Sequence, residues 1–520
     1  MSLRLGILSL LIFSMASCVH SSVKDGAYLE TVQALRAAPL SFPPQVPVTV
    51  PPEEPPLEGE HPIGFYVEAA LKRNPEILAA ERRAAAKAEV VPQVTALPDP
   101  VAAGVIWPSS NQTLQTAAGR VVNNMAVTQL FPWCGKLRLR GEAATLDTKI
   151  ALTQLAETQL QVIEEVKLAY YNIYLFKRSL RILDESQELL HKSFIDRARS
   201  GKPRTTRLDR QRADVELRKL EAQRIEITQQ LKQAQADLAK ILSTFPEADL
   251  EVPNEPDLPG VPEQLEQLYQ AALISRPELQ GRLEAVSRDE RLVELARLNY
   301  YPDVAVGFVW YDLSTNNVVA KTANGENGLG IALGVNIPIW YGKLRAGVRE
   351  AQNRTAESAR LYQVSRDETL RQIRRLTVEA RAQEQELQLF REQLVPEAVK
   401  AADLASAGYR NETVNPVRAI DNWLQLVTFR LRLAQLQASL GQTLARLERV
   451  VGEQLTPMQG AAGNAGCPLR GRTSPEQPRP GSASEQVPPA LRRGDDLPLP
   501  QRMEDAPPAR NDSDHGPSTP

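Results

Sequence analysis

Histidine, cysteine and long hydrophobic runs are all scarce in this chain. Its 520 residues include only 4 His and 3 Cys, too few for a zinc framework or a disulfide scaffold. Lys and Arg number 61 against 63 Asp and Glu, and the lack of a basic excess argues against a partner made of nucleic acid. Beyond the N-terminus no apolar run approaches the ~18 residues of a membrane helix. These absences exclude a polytopic helical membrane protein but leave open a β-barrel, whose strands are half polar.

No pattern in the sequence indicates an enzyme. The four histidines, at positions 20, 61, 191 and 515, are scattered, and no Ser/His/Asp arrangement, phosphate loop or metal-ligand spacing is present. Acid pairs on predicted helices are explained by solvated helix faces. We therefore predict no catalytic residues, no metal site and no cofactor.

The N-terminus has the parts of a bacterial export signal. Arg4 supplies a positive charge, a short apolar run follows, and small residues precede Cys18. The stretch Met15-Ala16-Ser17-Cys18 resembles a lipobox, where bacterial lipoproteins are diacylated on Cys and cleaved before it. The sequence predicts a lipoprotein signal peptide over residues 1–17 and lipidation of Cys18, and Val19 permits sorting to the outer membrane. The alternative is an ordinary signal peptide with an incidental Cys.

Both flanks of the chain are predicted to lack a folded core. Residues 18–61 form a proline-rich linker that cannot become helical. Residues 455–520 are rich in Pro, Gly, Ser and Arg and have almost no aromatic or β-branched side chains. Because such a composition cannot bury enough apolar surface, this segment is predicted to be a disordered tail.

Between these flanks the sequence contains an internal repeat. Asn74-Pro75-Glu76 returns as Arg276-Pro277-Glu278, and Gly135-Lys136-Leu137-Arg138 returns 207 residues later as Gly342-Lys343-Leu344-Arg345. The period is longer than that of a solenoid, which indicates duplication of half a protein. We place the two copies at residues 62–260 and 261–454.

Each copy is predicted to contain helix, strand, strand, long helix and helix, in that order. Strands are indicated by alternation of larger residues with small or polar ones: Val101, Ala103, Val105 and Trp107; Val304, Val306, Phe308 and Trp310; Leu329, Ile331, Leu333, Val335 and Ile337. Strands of about ten residues with one apolar face are typical of a membrane barrel. The alternative is a soluble hairpin packed on its own helices.

The long helices are predicted to form coiled coils. From Cys134 to about Arg199 there is no proline, so a helix of ~66 residues and ~100 Å is expected, with apolar residues at steps of three and four. Gly201 and Pro203 should end it. Residues 343–406 repeat the design and should end at Gly408.

Helix starts are indicated by capping residues. Thr206-Arg207-Leu208-Asp209 has the pattern of a capping box. Asn74 before Pro75, and Asn415 before Pro416, are typical of an N-cap followed by proline at the first helical position.

Several of these stretches together resemble a known family. They are the Pro-Glu pairs at 75–76 and 277–278, the segments 129–137 and 336–344 that join strand to long helix, and residues 444–452. They resemble the TolC-like outer-membrane factors of tripartite efflux systems, in particular the lipid-anchored branch with the CusC and CzcC heavy-metal efflux proteins.

The resemblance implies a mainly α protein with a membrane β-barrel. Three protomers would each give four strands to one twelve-stranded barrel, continued by a periplasmic coiled-coil tunnel. Four strands cannot close a barrel, and open edges leave backbone groups unsatisfied in lipid. The implied function is a passive export duct for a periplasmic adaptor and an inner-membrane pump. The alternative is a structural periplasmic coiled-coil lipoprotein without channel activity.

Two groups of charged residues are candidate sites. The resemblance places an acidic ring of the channel aperture at Asp421, with Arg418 three residues away on the same helix face. The hypothesis is a mixed-charge constriction in which Arg418 and Asp421 hold the tip closed by pairing within or between protomers. The alternative is that both are surface charges.

The second group lies in the first turns of the long helices, where cations oppose the helix dipole. Its members are Lys136, Arg138, Arg140, Lys343, Arg345 and Arg349. The hypothesis is contact with anionic headgroups of outer-membrane lipid at the barrel junction, and the alternative is simple solvation.

Overall fold

The computed structural model describes residues 57, 59–106, 116–190, 207–253, 258–315, 323–410 and 413–454. The predicted signal peptide, the lipidation site Cys18, nearly all of the proline-rich linker and the tail at 455–520 lie outside the described residues. So do Trp107, the predicted helix stop at Gly201 and Pro203, and the side chain of Asp209.

The predicted order of elements occurs twice. The first half contains β1 (Gly59–Glu60), α1 (Ile63–Arg73), α2 (Pro75–Ala88), α3 (Val90–Thr95), β2 (Val101–Ile106), β3 (Arg120–Phe131), α4 (Lys136–Leu190), α5 (Arg207–Ile241) and β4 (Leu250–Glu251). The second contains α6 (Leu265–Ser275), α7 (Pro277–Leu298), β5 (Val304–Ser314), β6 (Gly328–Val335), α8 (Tyr341–Leu389), a π-helical segment (Phe390–Leu394), α9 (Val395–Arg410) and α10 (Pro416–Val451).

The predicted asparagine caps are confirmed. The Asn74 side chain accepts a hydrogen bond from the Glu76 N–H at 2.8 Å. The Asn415 side chain accepts one from the Val417 N–H at 2.9 Å. In each case proline follows at a position where its missing N–H costs nothing.

One four-stranded antiparallel sheet combines both hairpins, in the order β2-β3-β5-β6. The hairpin of each half is joined to the other through β3 and β5, with Phe131 opposite Val304. β2 and β6 are the edge strands.

The two faces of this sheet differ in chemistry. What we call the apolar face carries exposed large side chains in β5 and β6, namely Phe308, Trp310, Leu329, Ile331, Leu333 and Val335. The opposite face of β6 carries Gly328, Gly330, Ala332 and Gly334, so the alternation predicted for the second half is present.

In β2 the larger residues lie on the small-residue face instead. Ala102 is opposite Val127, and Val127 is opposite Phe308, so Ala102 shares the apolar face. Val101, Ala103 and Val105 therefore point the other way. The orientation of β2 follows only from its register with β3, because small residues on both faces of β2 leave its sequence without a clear apolar side.

Only the second long helix can be compared with its predicted end, because the end of the first lies outside the described residues. α4 is described over 55 residues, up to Leu190, about 80 Å. In the second half the helix does not end at Gly408 but continues to Arg410, and the Gly408 carbonyl accepts from Thr413 N–H at 2.9 Å.

The second long helix also contains a π-helical segment that the sequence analysis missed. The Val395 N–H donates to the Phe390 carbonyl, five residues back. Pro396 follows and has no N–H to complete the ordinary pattern, so the widened turn lies directly before it.

The core lies along α4 in two main clusters. The first surrounds Tyr66, Val166 and Tyr170, and the Tyr66 hydroxyl donates to the Glu251 carbonyl at 2.8 Å, tying α1 to β4. The second joins α4, α5, α9 and α10 through Leu183, Trp423 and their neighbours. Among the described helices, none combines the length and apolarity needed to span a membrane.

Candidate functional site

The junction between β3 and α4 holds a buried ion pair. Lys136 is the first residue of α4, and its side chain is only 5% exposed. Its Nζ lies 2.7 Å from Asp303 Oδ1 and 3.2 Å from the Tyr301 carbonyl oxygen. The Trp133 N–H donates to the same Asp303 oxygen at 2.7 Å.

Sheet register explains why these distant residues meet. Phe131 ends β3 opposite Val304, the first residue of β5. Asp303 therefore falls beside the turn that leads from β3 into α4. The Trp133 and Tyr301 rings stack with centroids 5.1 Å apart and cover the same junction.

The Asp303 carboxylate keeps its charge in this position. Burial raises its pKa, but hydrogen bonds from Lys136 and the Trp133 N–H, with the charges of Lys136 and Arg140, outweigh burial and lower the pKa below its usual value. An anion beside the first turn of α4 also offsets the unfavourable position of Lys136 in the helix dipole.

For Lys136 both predicted alternatives are wrong. A side chain buried against Asp303 neither meets lipid headgroups nor lies in solvent. Arg138 instead forms an exposed ion pair with Glu142 at 2.6 Å, while Lys343 and Arg345 are exposed. The equivalent lysines of the two halves thus have different surroundings.

At the other end of the long helices, Asp421 pairs with a residue that the sequence analysis did not consider. Arg212 Nη2 of α5 lies 2.9 Å from Asp421 Oδ1 of α10. Arg418 is exposed and is not the partner of Asp421, so the predicted pairing of Asp421 with Arg418 within this protomer is wrong. The Arg418 carbonyl accepts from the Asn422 side chain.

The Arg212–Asp421 pair lies at the solvent edge of an apolar contact. Ala419 and Ile420 are buried beside Asp421, in the cluster that includes Trp423. The two charged side chains themselves are 44% and 52% exposed. An exposed ion pair of this kind contributes at most about 1 kcal/mol, so it can be broken at small cost.

Farther from this end, α4 and α10 are joined more firmly. Hydrogen bonds connect Tyr174 with Gln437 at 2.7 Å and Asn172 with Gln442 at 2.8 Å. Lys167 pairs with Glu448 where both side chains are largely buried. The polar links thus become more exposed toward the tips.

The described residues contain no group of three or more His, Cys, Asp or Glu that could hold a metal ion. Cys134 is an exposed free thiol.

Comparison with protein families gives a match to the second half of the chain. Residues 268–453 match the family described as outer membrane efflux protein. No curated protein matches the chain in a sequence search.

Solved structures share the fold at low identity. VceC of Vibrio cholerae is 17% identical, with a TM-score of 0.63 over 76% of this chain and 96% of its own. CusC is 16% identical, with a TM-score of 0.64 over 80% and 99%. MtrE of Neisseria gonorrhoeae is 15% identical, with a TM-score of 0.63 over 76% and 91%.

The resemblance to TolC-like outer-membrane efflux factors is therefore confirmed. The family match over residues 268–453 and the solved structures together show that the chain shares the fold of outer-membrane efflux channels.

Proposed function

We propose that this chain is the outer-membrane duct of a tripartite efflux system and works as a homotrimer. The observation that carries the proposal is the open four-stranded sheet, which has an apolar face. Its strands β3 and β6 lead directly into the long helices α4 and α8. In lipid, the unpaired backbone of β2 and β6 would cost several kcal/mol for each group. Pooling four strands from each of three chains into a twelve-stranded barrel removes both edges.

In this proposal the helices continue the barrel as a periplasmic tunnel. The duct is passive and takes substrate from an inner-membrane pump through a periplasmic adaptor that contacts the helical tips. Lipidation at Cys18 and the signal peptide at residues 1–17 belong to the proposal, and so does a dispensable tail at 455–520. The resemblance of the sequence to the branch with the CusC and CzcC heavy-metal efflux proteins is the ground for including heavy-metal cations among the candidate substrates.

A structural coiled-coil lipoprotein is the second candidate function. It would need the long helices but not the amphipathic strands. Extraction in detergent followed by gel electrophoresis with and without boiling separates the two. A barrel trimer should change mobility on boiling and give a circular dichroism spectrum with a β component. A single mobility without β signal would contradict the duct.

The Arg212–Asp421 pair is the candidate lock of the tunnel entrance. It joins the helix that follows the first tip to the helix that follows the second, so breaking it removes an exposed link between the two hairpins while the apolar cluster beneath it remains. Arg212→Gln and Asp421→Asn should each raise single-channel conductance in a planar bilayer.

A matched control exists within the first hairpin. Arg224 of α5 and Asp184 of α4 also form an exposed pair at 2.9 Å. This pair lies within the first hairpin and does not link it to the second. Arg224→Gln should leave conductance at the parent value. Equal conductance in the parent and in both tip variants would remove this pair from the lock.

A further inference from the structure

The two hairpins of the sheet are equivalent residue by residue. Pro98-Asp99 before β2 corresponds to Pro302-Asp303 before β5, and Phe131-Pro132 at the end of β3 corresponds to Ile337-Pro338 after β6. With these offsets the pair Ala102 and Val127 of the first hairpin matches Val306 and Leu333 of the second, which are also opposite each other.

We call the paired strands β3 and β5, with the contacts among Lys136, Asp303, Trp133 and Tyr301 beside them, the β3–β5 join. The equivalence of the hairpins gives each residue of this join a counterpart at the open edges of the sheet. Asp303 corresponds to Asp99, and Tyr301 to Leu97. One residue is inserted after Pro338, so Trp133 corresponds to Trp340 and Lys136 to Lys343.

In the β3–β5 join these residues contact one another, whereas their counterparts at the open edges are exposed. Trp340 is 73% exposed and Leu97 is 48% exposed. Asp99 and Lys343 are both exposed, and neither has an ion pair within the described part of the protomer. The same set of residues therefore forms its contacts once within the protomer, at β3 and β5. In the second set, one half lies beside β2 and the other half beside β6, at opposite edges of the sheet.

We propose that β6 of one copy pairs antiparallel with β2 of the next in the register of the β3–β5 join, fixed by an intersubunit ion pair between Lys343 and Asp99. Trp340 then covers Leu97 of the neighbour, as Trp133 covers Tyr301. This inference rests on the proposed trimeric duct and adds to it the residues that select the neighbour.

The register follows from the join inside the protomer. Gln129 is opposite Val306, and their counterparts are Val335 and Ala102. Both belong to the apolar face, so the contact continues that face from one protomer to the next. A slip of one residue would turn every side chain of one strand to the wrong face.

Cysteine cross-linking tests this register. Ala102→Cys with Val335→Cys, on a background with Cys134→Ser and Cys467→Ser, places two thiols opposite each other between copies. Within one chain β3 and β5 separate these positions by roughly 14 Å of strand spacing, beyond the reach of a disulfide. We expect covalent three-chain bands under oxidation. Ala102→Cys with Leu333→Cys is the control, since its thiols lie two residues apart along the strands and should not link.

Charge reversal tests the ion pair. Asp99→Lys and Lys343→Asp should each lower the temperature at which the trimer dissociates in detergent, and the double exchange should restore it. Arg345→Asp, also exposed on α8, is the control and should not be rescued by Asp99→Lys.

The outcomes separate this inference from the proposed function. A heat-sensitive trimer that links only through the Leu333 variant, or single reversals that leave its dissociation temperature unchanged, overturns the inference and leaves the duct standing. A parent protein that forms no trimer in detergent or membrane overturns both.

Discussion

Replacing Lys136 with Met should destabilise the protomer. The Met side chain keeps most of the volume of the lysine stem but leaves Asp303 with the Trp133 N–H as its remaining close donor. Removing one partner of a fully buried pair costs about 3–5 kcal/mol. Because the Asp303 side chain keeps 20% exposure, we expect a loss nearer about 2 kcal/mol, measured as a lower unfolding temperature of the detergent-solubilised protein.

Arg138→Met is the matched control, two residues along the same helix. Its exposed pair with Glu142 should contribute only a few tenths of a kcal/mol. Adding Asp303→Asn to Lys136→Met should recover part of the loss, because no unpaired buried charge then remains. Equal effects of Lys136→Met and Arg138→Met would refute the reasoning.

The same pair predicts a dependence on pH. The pKa of Asp303 is lower in the folded protein than in the unfolded chain. Its contribution to stability is therefore present above the unfolded value, about 3.9, and is lost as the pH falls through the folded value. The stability difference between the parent and Asp303→Asn should shrink below about pH 4. A difference that stays constant with pH would contradict this.

Three further predictions concern other parts of the chain. Gly441→Ala would place a Cβ 2.4 Å from Cζ of the buried Tyr171 ring, so thermal unfolding should show a loss of about 1–3 kcal/mol; Gly347→Ala, with nothing within 4 Å, should not destabilise. Cys18→Ser should abolish diacyl labelling and cleavage at that site, and mature protein with unmodified Cys18 would contradict the lipobox. Deleting residues beyond about 460 should leave trimer assembly intact on gels, since that composition cannot support a core.

Local signals in the sequence were sufficient for the helix starts and the hairpins. Asn74 and Asn415 form the predicted caps because capping depends on neighbouring residues only. The alternation in β5 and β6 is likewise local and strong. The π-helical segment before Pro396 could also have been predicted, because a proline inside a long helix removes one N–H.

The contacts of the candidate sites could not be predicted in this way. Lys136 and Asp303 are 167 residues apart, and Arg212 and Asp421 are 209 apart. Only the β3–β5 register and the packing of α5 against α10 bring them together. Sequence proximity favoured Arg418 as the partner of Asp421, but Asp421 pairs with Arg212 of the neighbouring helix α5.

The most direct test of the proposed duct is single-channel recording with the purified protein. After insertion into a planar bilayer, a trimeric duct should give discrete conductance steps, and their size should increase in Arg212→Gln and stay unchanged in Arg224→Gln. Membrane-inserted trimer that carries no current, in the parent and in Arg212→Gln alike, would contradict the duct.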